Sequence, residues 1–194
     1  MIYRMPRARY LALGDSYTIG ESVAAEERFP NQLAKQLNLG EPEILAQTGW
    51  TTEELNAGID SAVTRGPYEL VTLLIGVNDQ YRGCSPTKYR TQFGGLLQRA
   101  IGFADGDPRR VIVVSIPDWG IMPFAEGRDR VRIAREIDQF NTINREEAAR
   151  AGAKWADITS TSRRVDPALI ADDGLHPSGT QYSEWVGVLA PLAP

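Results

Sequence analysis

Leu70-Val71-Thr72-Leu73-Leu74-Ile75-Gly76-Val77-Asn78-Asp79 is the stretch that decides the fold. Its first six residues carry no charge and lead through glycine into a polar pair. A strand with one wet face alternates apolar and polar residues. A strand buried on both faces does not, and that is the habit of parallel sheets. Residues 70–75 therefore predict an inner strand of a parallel sheet, with Gly76, Asn78 and Asp79 at its carboxyl end.

The same reading extends outward in both directions. Residues 10–13, 43–46, 111–116 and 154–158 are short apolar runs that read as further strands, and the β-branched residues of 111–116 strengthen that reading. Between them lie amphipathic stretches. In residues 28–39, Phe29, Leu33, Leu37 and Leu39 fall near helical spacing before Gly40 and Pro42 stop the helix. Thr51 with Glu54 three residues later fits a capping box. Residues 87–103 predict a helix weakened by Gly94 and Gly95. Residues 129–151 predict a long helix ended by Gly152, and residues 178–189 a last one. Regular alternation of this kind predicts an α/β fold: a three-layer α/β/α sandwich of about five parallel strands.

The whole chain narrows the function. Its 194 residues suit one domain, residues 1–194, with an adequate core. Hydrophobic residues make up 42% and charged residues 24%, so disorder is not expected. A net charge of -4, with Lys/Arg clusters no denser than the pairs Arg109-Arg110 and Arg163-Arg164, gives no basic face for a nucleic acid. Cys84 is the only cysteine and His176 the only histidine, which rules out an intrachain disulfide and a clustered His/Cys metal site. No metal or other cofactor is expected. The apolar runs are too short to span a bilayer. The opening residues lack the apolar core of a signal peptide, so a cytoplasmic protein is expected.

A parallel sheet places ligands beyond the carboxyl ends of its strands. Four segments fall there: Gly14-Asp15-Ser16-Tyr17-Thr18-Ile19-Gly20, Thr48-Gly49-Trp50-Thr51-Thr52, Gly76-Val77-Asn78-Asp79 and Asp173-Gly174-Leu175-His176-Pro177. They would bring a serine, a histidine, an aspartate and amide donors to one edge. A serine hydroxyl needs a neighbouring base, histidine suits that task, and a carboxylate must orient the imidazole. Asp173 is three residues before His176, and Asp172 is the adjacent rival.

These four blocks, in this order, resemble the SGNH (GDSL) hydrolase superfamily. The resemblance spans Gly14 to Ser178 and departs mildly at Tyr17, where leucine is common. It implies flavodoxin-like strand order and acyl transfer through an acyl-serine intermediate. It further implies a triad of Ser16, Asp173 and His176. The oxyanion donors it implies are the N–H groups of Ser16 and Gly49 and the amide of Asn78. Gly49 rests mainly on position. Each block alone has a plainer reading. Ser16 could cap a helix, His176 could be a loop histidine, and Asn78-Asp79 could be a turn.

Asp15 and Asp79 read as braces, with Asp15 also beside the substrate. Trp50, Tyr81, Trp119, Ile121 and Phe124 are the expected pocket residues, the last three from a segment that is either a lid or an acyl or alcohol wall. The expected substrate is a small-molecule ester with a small or short acyl chain. Lysophospholipase, thioesterase and carbohydrate deacetylase activities are the alternatives within the family, and a non-catalytic ligand-binding module is the alternative outside it.

Overall fold

The computed structural model describes residues 8–64 and 66–194. The first seven residues, which the leader and single-domain expectations include, lie outside them. In chain order the elements are β1 (Tyr10–Gly14), α1 (Ser16–Ile19), α2 (Phe29–Gln36), β2 (Glu43–Ala46), α3 (Thr52–Ser61), β3 (Leu70–Leu74), α4 (Val77–Tyr81), α5 (Pro86–Phe103), β4 (Val111–Val114), α6 (Arg130–Ala151), β5 (Lys154–Ala156), α7 (Thr159–Ser162) and α8 (Gly179–Leu189), with short 3-10 turns between some of them.

The strands form one parallel sheet in the order β2-β1-β3-β4-β5. This is the flavodoxin-like order. The inner strands β1, β3 and β4 are buried along their whole length, as unbroken apolar runs require, whereas the edge strands β2 and β5 are partly exposed. Helices α3, α5 and α6 pack side by side in one group, and α2 and α8 pack together in another. The three-layer architecture of the sequence reading is present.

Strands end earlier than the sequence suggests. β3 stops at Leu74, β4 at Val114 and β5 at Ala156, one to two residues short of the apolar runs. The surplus residues Ile75, Ile116 and Ile158 are still fully buried, so their hydrophobicity reports the core rather than the ladder. Helix α5 runs straight through Gly94 and Gly95. Its capping Ser85 accepts from the Lys88 N–H, and its face of Tyr89, Phe93, Leu96, Leu97 and Ala100 is buried. That burial outweighs a propensity cost of about 1 kcal/mol per glycine. The capping box at α3 is present in both directions: Thr51 accepts from the Glu54 N–H, and Glu54 accepts from the Thr51 N–H.

Three one-turn helices, α1, α4 and α7, have no periodic apolar signal long enough to read. Two of them carry the residues of interest. The chain turns directly from β1 into α1 and from β3 into α4, so Ser16 and Asn78 are held at the ends of neighbouring strands. Gly14 makes the first turn possible. A Cβ there would lie 2.1 Å from Thr18 Oγ1 and 2.5 Å from the Leu74 carbonyl oxygen, closer than real contacts allow.

Candidate active site

Asp15, rather than Ser16, caps α1: its Oδ1 accepts from the Tyr17 N–H at 3.1 Å. Ser16 occupies the first helical position. Its hydroxyl is therefore free to face another element, and its N–H is one that a helix start leaves without an intrahelical acceptor.

The element it faces is the loop before α8. The chain there makes an isolated antiparallel bridge between Ile170 and Pro177 and a tight loop between them. Asp173 Oδ1 accepts from the backbone N–H groups of Leu175 and His176, both at 2.9 Å. Its Oδ2 meets His176 Nδ1 at 2.6 Å and accepts from Ser22 Oγ at 2.8 Å. Burial opposes the Asp173 charge, yet these donors overcome it and hold the carboxyl well below the usual range. An ionised carboxylate can only accept, so His176 Nδ1 carries the ring proton and Nε2 is left as an acceptor. Ser16 Oγ lies 2.9 Å from that Nε2. The two residues are 160 positions apart in sequence, and each is almost wholly buried. The Tyr17 ring packs against the imidazole with centroids 5.1 Å apart. Asp173 and not Asp172 faces the histidine.

The donor side is built from two loops. Gly49 has φ +84°, a conformation that favours glycine. Its carbonyl accepts from Arg82 Nη2 at 2.7 Å, and among the described residues its N–H has no hydrogen-bond partner. Asn78, on α4, donates from Nδ2 to the Trp50 carbonyl at 3.0 Å and to Asp15 Oδ2 at 3.4 Å. Asp79 is a brace. Its two carboxylate oxygens accept from the Thr52 N–H at 2.9 Å and from Thr52 Oγ1 at 2.7 Å, which ties α4 to α3. Burial raises the Asp79 carboxyl.

Not every expected pocket residue reaches a cleft surface. Asp15 is fully buried, which pushes its carboxyl up to about 8, and it supports Ser16 and Asn78 from beneath instead of meeting substrate. The Trp50 ring lies against α3, where a Cβ on Gly58 would come within 2.3 Å of it, so what Trp50 contributes to the site is its carbonyl. Ile121 is half-buried, in a 3-10 turn whose carbonyl accepts from Arg130 Nη1. Tyr81, Trp119 and Phe124 do form a wall: ring centroids are 5.3 Å apart for Tyr81–Trp119, 6.3 Å for Tyr81–Phe124 and 6.1 Å for Trp119–Phe124. The Phe124 N–H donates to the Gly174 carbonyl at 3.1 Å, which docks this wall on the loop carrying Asp173 and His176. Burial raises the Cys84 thiol, which donates weakly to the Ser85 carbonyl and takes no part in the site.

The sequence profile of the GDSL-like lipase/acylhydrolase family matches residues 12–183. The chain belongs to this family. It is accordingly a hydrolase of the esterase type. No curated protein sequence matches it significantly. Among solved structures it is similar to a G-D-S-L family protein from Desulfitobacterium hafniense DCB-2 (TM-score 0.77, 15% identity, covering 95% of this chain and 99% of that one). It is also similar to TesA (TM-score 0.72, 18% identity, 95% and 97%) and to the psychrotrophic esterase EstA from Pseudoalteromonas sp. (TM-score 0.69, 15% identity, 95% and 95%). At these identities the likeness is one of fold. Among the described residues no helix is long and apolar enough to cross a membrane, and no group of three or more His, Cys, Asp or Glu side chains converges as a metal site.

Proposed function

We propose that this chain, as one domain, is a cytoplasmic serine esterase that hydrolyses carboxylic esters of small or short acyl chains through an acyl-Ser16 intermediate. The observation that carries this reading is the continuous line Asp173 Oδ2–His176 Nδ1, His176 Nε2–Ser16 Oγ, at 2.6 and 2.9 Å.

Ser16 Oγ attacks the ester carbonyl carbon while its proton passes to His176 Nε2. The carbonyl π electrons move to oxygen, and Asp173 stabilises the imidazolium. The tetrahedral intermediate collapses, the carbon–oxygen bond to the alcohol breaks, and the imidazolium returns the proton to the leaving oxygen. Water then repeats the sequence on the acyl-serine and releases the carboxylic acid. No cofactor enters either half.

The developing oxyanion calls for preorganised donors. The N–H groups of Ser16 and Gly49 suit this role, one at a helix start and the other without a partner. Asn78 supplies the third. Its 3.4 Å contact with Asp15 is at the long limit of a hydrogen bond, so the amide is held chiefly by the Trp50 carbonyl, and the weakly held second N–H is the one an oxyanion would recruit. Support for a small acyl group comes from the reacting pair, of which Ser16 is 5% and His176 6% exposed. A slim group reaches them most easily.

Incubation with a fluorophosphonate probe tests the reading. The wild-type protein should label and turn over p-nitrophenyl acetate. Ser16→Ala should do neither while keeping its thermal transition. Wild-type protein that does not label would favour a ligand-binding module. A p-nitrophenyl ester series from acetate to palmitate locates the acyl limit, with the best kcat/KM expected at four carbons or fewer.

A further inference from the structure

The aromatic wall carries a cation that the hydrolytic reading does not use. Arg128 lies just before α6, and its guanidinium carbon sits 5.2 Å from the Tyr81 ring centroid and 5.4 Å from those of Trp119 and Phe124. Its Nη2 donates to the Tyr81 hydroxyl at 3.1 Å. Three rings and one hydrogen bond thus fix an exposed guanidinium in place. Among the described residues it has no carboxylate partner.

The acids nearby are already occupied. Arg128, Asp129, Arg132 and Glu136 line one cavity of about 550 Å³ together with Tyr81 and Trp119. Glu136 accepts from Arg132 Nε at 2.7 Å and from Gln80 Nε2 at 2.8 Å. Asp129 caps α6 by accepting from the Arg132 N–H at 2.9 Å. Arg128 is the cation of this group left to face a ligand. A guanidinium resting on rings still has most of its in-plane N–H donors free, and that fork matches a carboxylate. Ser16, Gly49, Asn78 and His176 do not line this cavity, but the wall adjoins them, through Tyr81 on the helix of Asn78 and through the Phe124–Gly174 hydrogen bond.

Resting on the esterase reading above, we propose that Arg128 is a specificity-determining residue that binds a carboxylate at the far end of the substrate, so that the preferred esters carry a negative charge remote from the reacting carbonyl. The carboxylate can belong to either half of the ester. Without a carboxylate partner among the described residues, Arg128 gains one when such a substrate lies across the wall.

The test uses two sets of esters on the full chain. One is the p-nitrophenyl monoesters of succinic, glutaric, adipic and suberic acids, each against its methyl-capped neutral counterpart. The other is the acetyl esters of ω-hydroxy acids against their methyl esters. The quantity read is the kcat/KM ratio of charged to neutral ester, in which any loss common to both cancels. In at least one set the wild-type ratio should reach about 10 or more at one chain length, and the set that shows it identifies the half of the ester carrying the charge. Arg128→Gln should bring that ratio below about 2, and Arg128→Lys should keep part of it. A wild-type ratio near 1 in both sets, or one that Arg128→Gln leaves unchanged, overturns the proposal while the esterase reading stands. Wild-type protein that hydrolyses p-nitrophenyl acetate but none of these esters overturns the proposal alone, and wild-type protein that hydrolyses neither overturns both.

Discussion

Asp15 and Asp173 flank the same serine–histidine pair, and their surroundings drive the two carboxyls apart. Asp173 is partly open to water and takes four donors, from Leu175, two atoms of His176, and Ser22, so it stays ionised. Asp15 is fully buried, takes the Tyr17 N–H and a long contact from Asn78, and is pushed up to about 8 by that burial. Near neutrality, then, one holds a charge and the other mostly a proton. The contrast teaches that burial set against hydrogen-bond supply, more than proximity to the serine, decides which carboxylate can stabilise an imidazolium. A second full charge at Asp15 would compete for the same cation.

The contrast breaks most visibly at Asp173. Asp173→Asn removes the charge and lets the imidazole take the wrong tautomer, so kcat on p-nitrophenyl acetate should fall about 10⁴-fold. A loss below tenfold would mean that Asp173 is a loop brace. Next in size is Asn78→Ala, which removes a proposed oxyanion donor and the contact to Asp15. It should lower kcat about 10²–10³-fold with KM nearly constant. Steady-state kinetics that instead raise KM alone would make Asn78 a ground-state contact.

The smallest effect on turnover, and the sharpest on pH, belongs to Asp15. Its folded pKa is raised, so its contribution to stability is complete below the ordinary aspartate range and is lost as pH climbs toward about 8. Asp173 is the reverse: its contribution is complete above that range and fades only in strong acid. Asp15→Asn should therefore gain stability relative to wild type between pH 5 and 9, by up to a few kcal/mol, while kcat at pH 7 drops less than about tenfold. Urea midpoints taken across that range measure it, and a pH-independent difference between the two proteins would show that Asp15 is ionised throughout.

The sequence made the scaffold easy to read where the residues themselves carried the signal. Unbroken apolar runs marked β1, β3 and β4, and the Thr51–Glu54 box marked the start of α3. The spacing of Asp173 and His176 survived because a single loop sets it. What escaped were features that depend on distance in space. Helices α1, α4 and α7 are too short for a 3.6-residue period to show. Asp15 as the cap, Trp50 turned onto α3, and Asp79 bonded to Thr52, 27 positions away, follow from how loops meet after folding. Arg128 looks like any exposed arginine until three rings gather beneath it, and nothing in its neighbours announces them.

The 160-residue gap between the proposed nucleophile, Ser16, and its proposed base, His176, also bears on the life of the chain before it is complete. At translation rates of about 5–20 residues per second, the serine leaves the ribosome roughly 10–30 s before the imidazole it depends on. Throughout that interval the nascent polypeptide has a strand, a helix start and an ordinary alcohol, but nothing to draw off the hydroxyl proton. On the proposed mechanism, hydrolytic competence arrives only with the final loop, once His176 meets Ser16 at the end of the first strand.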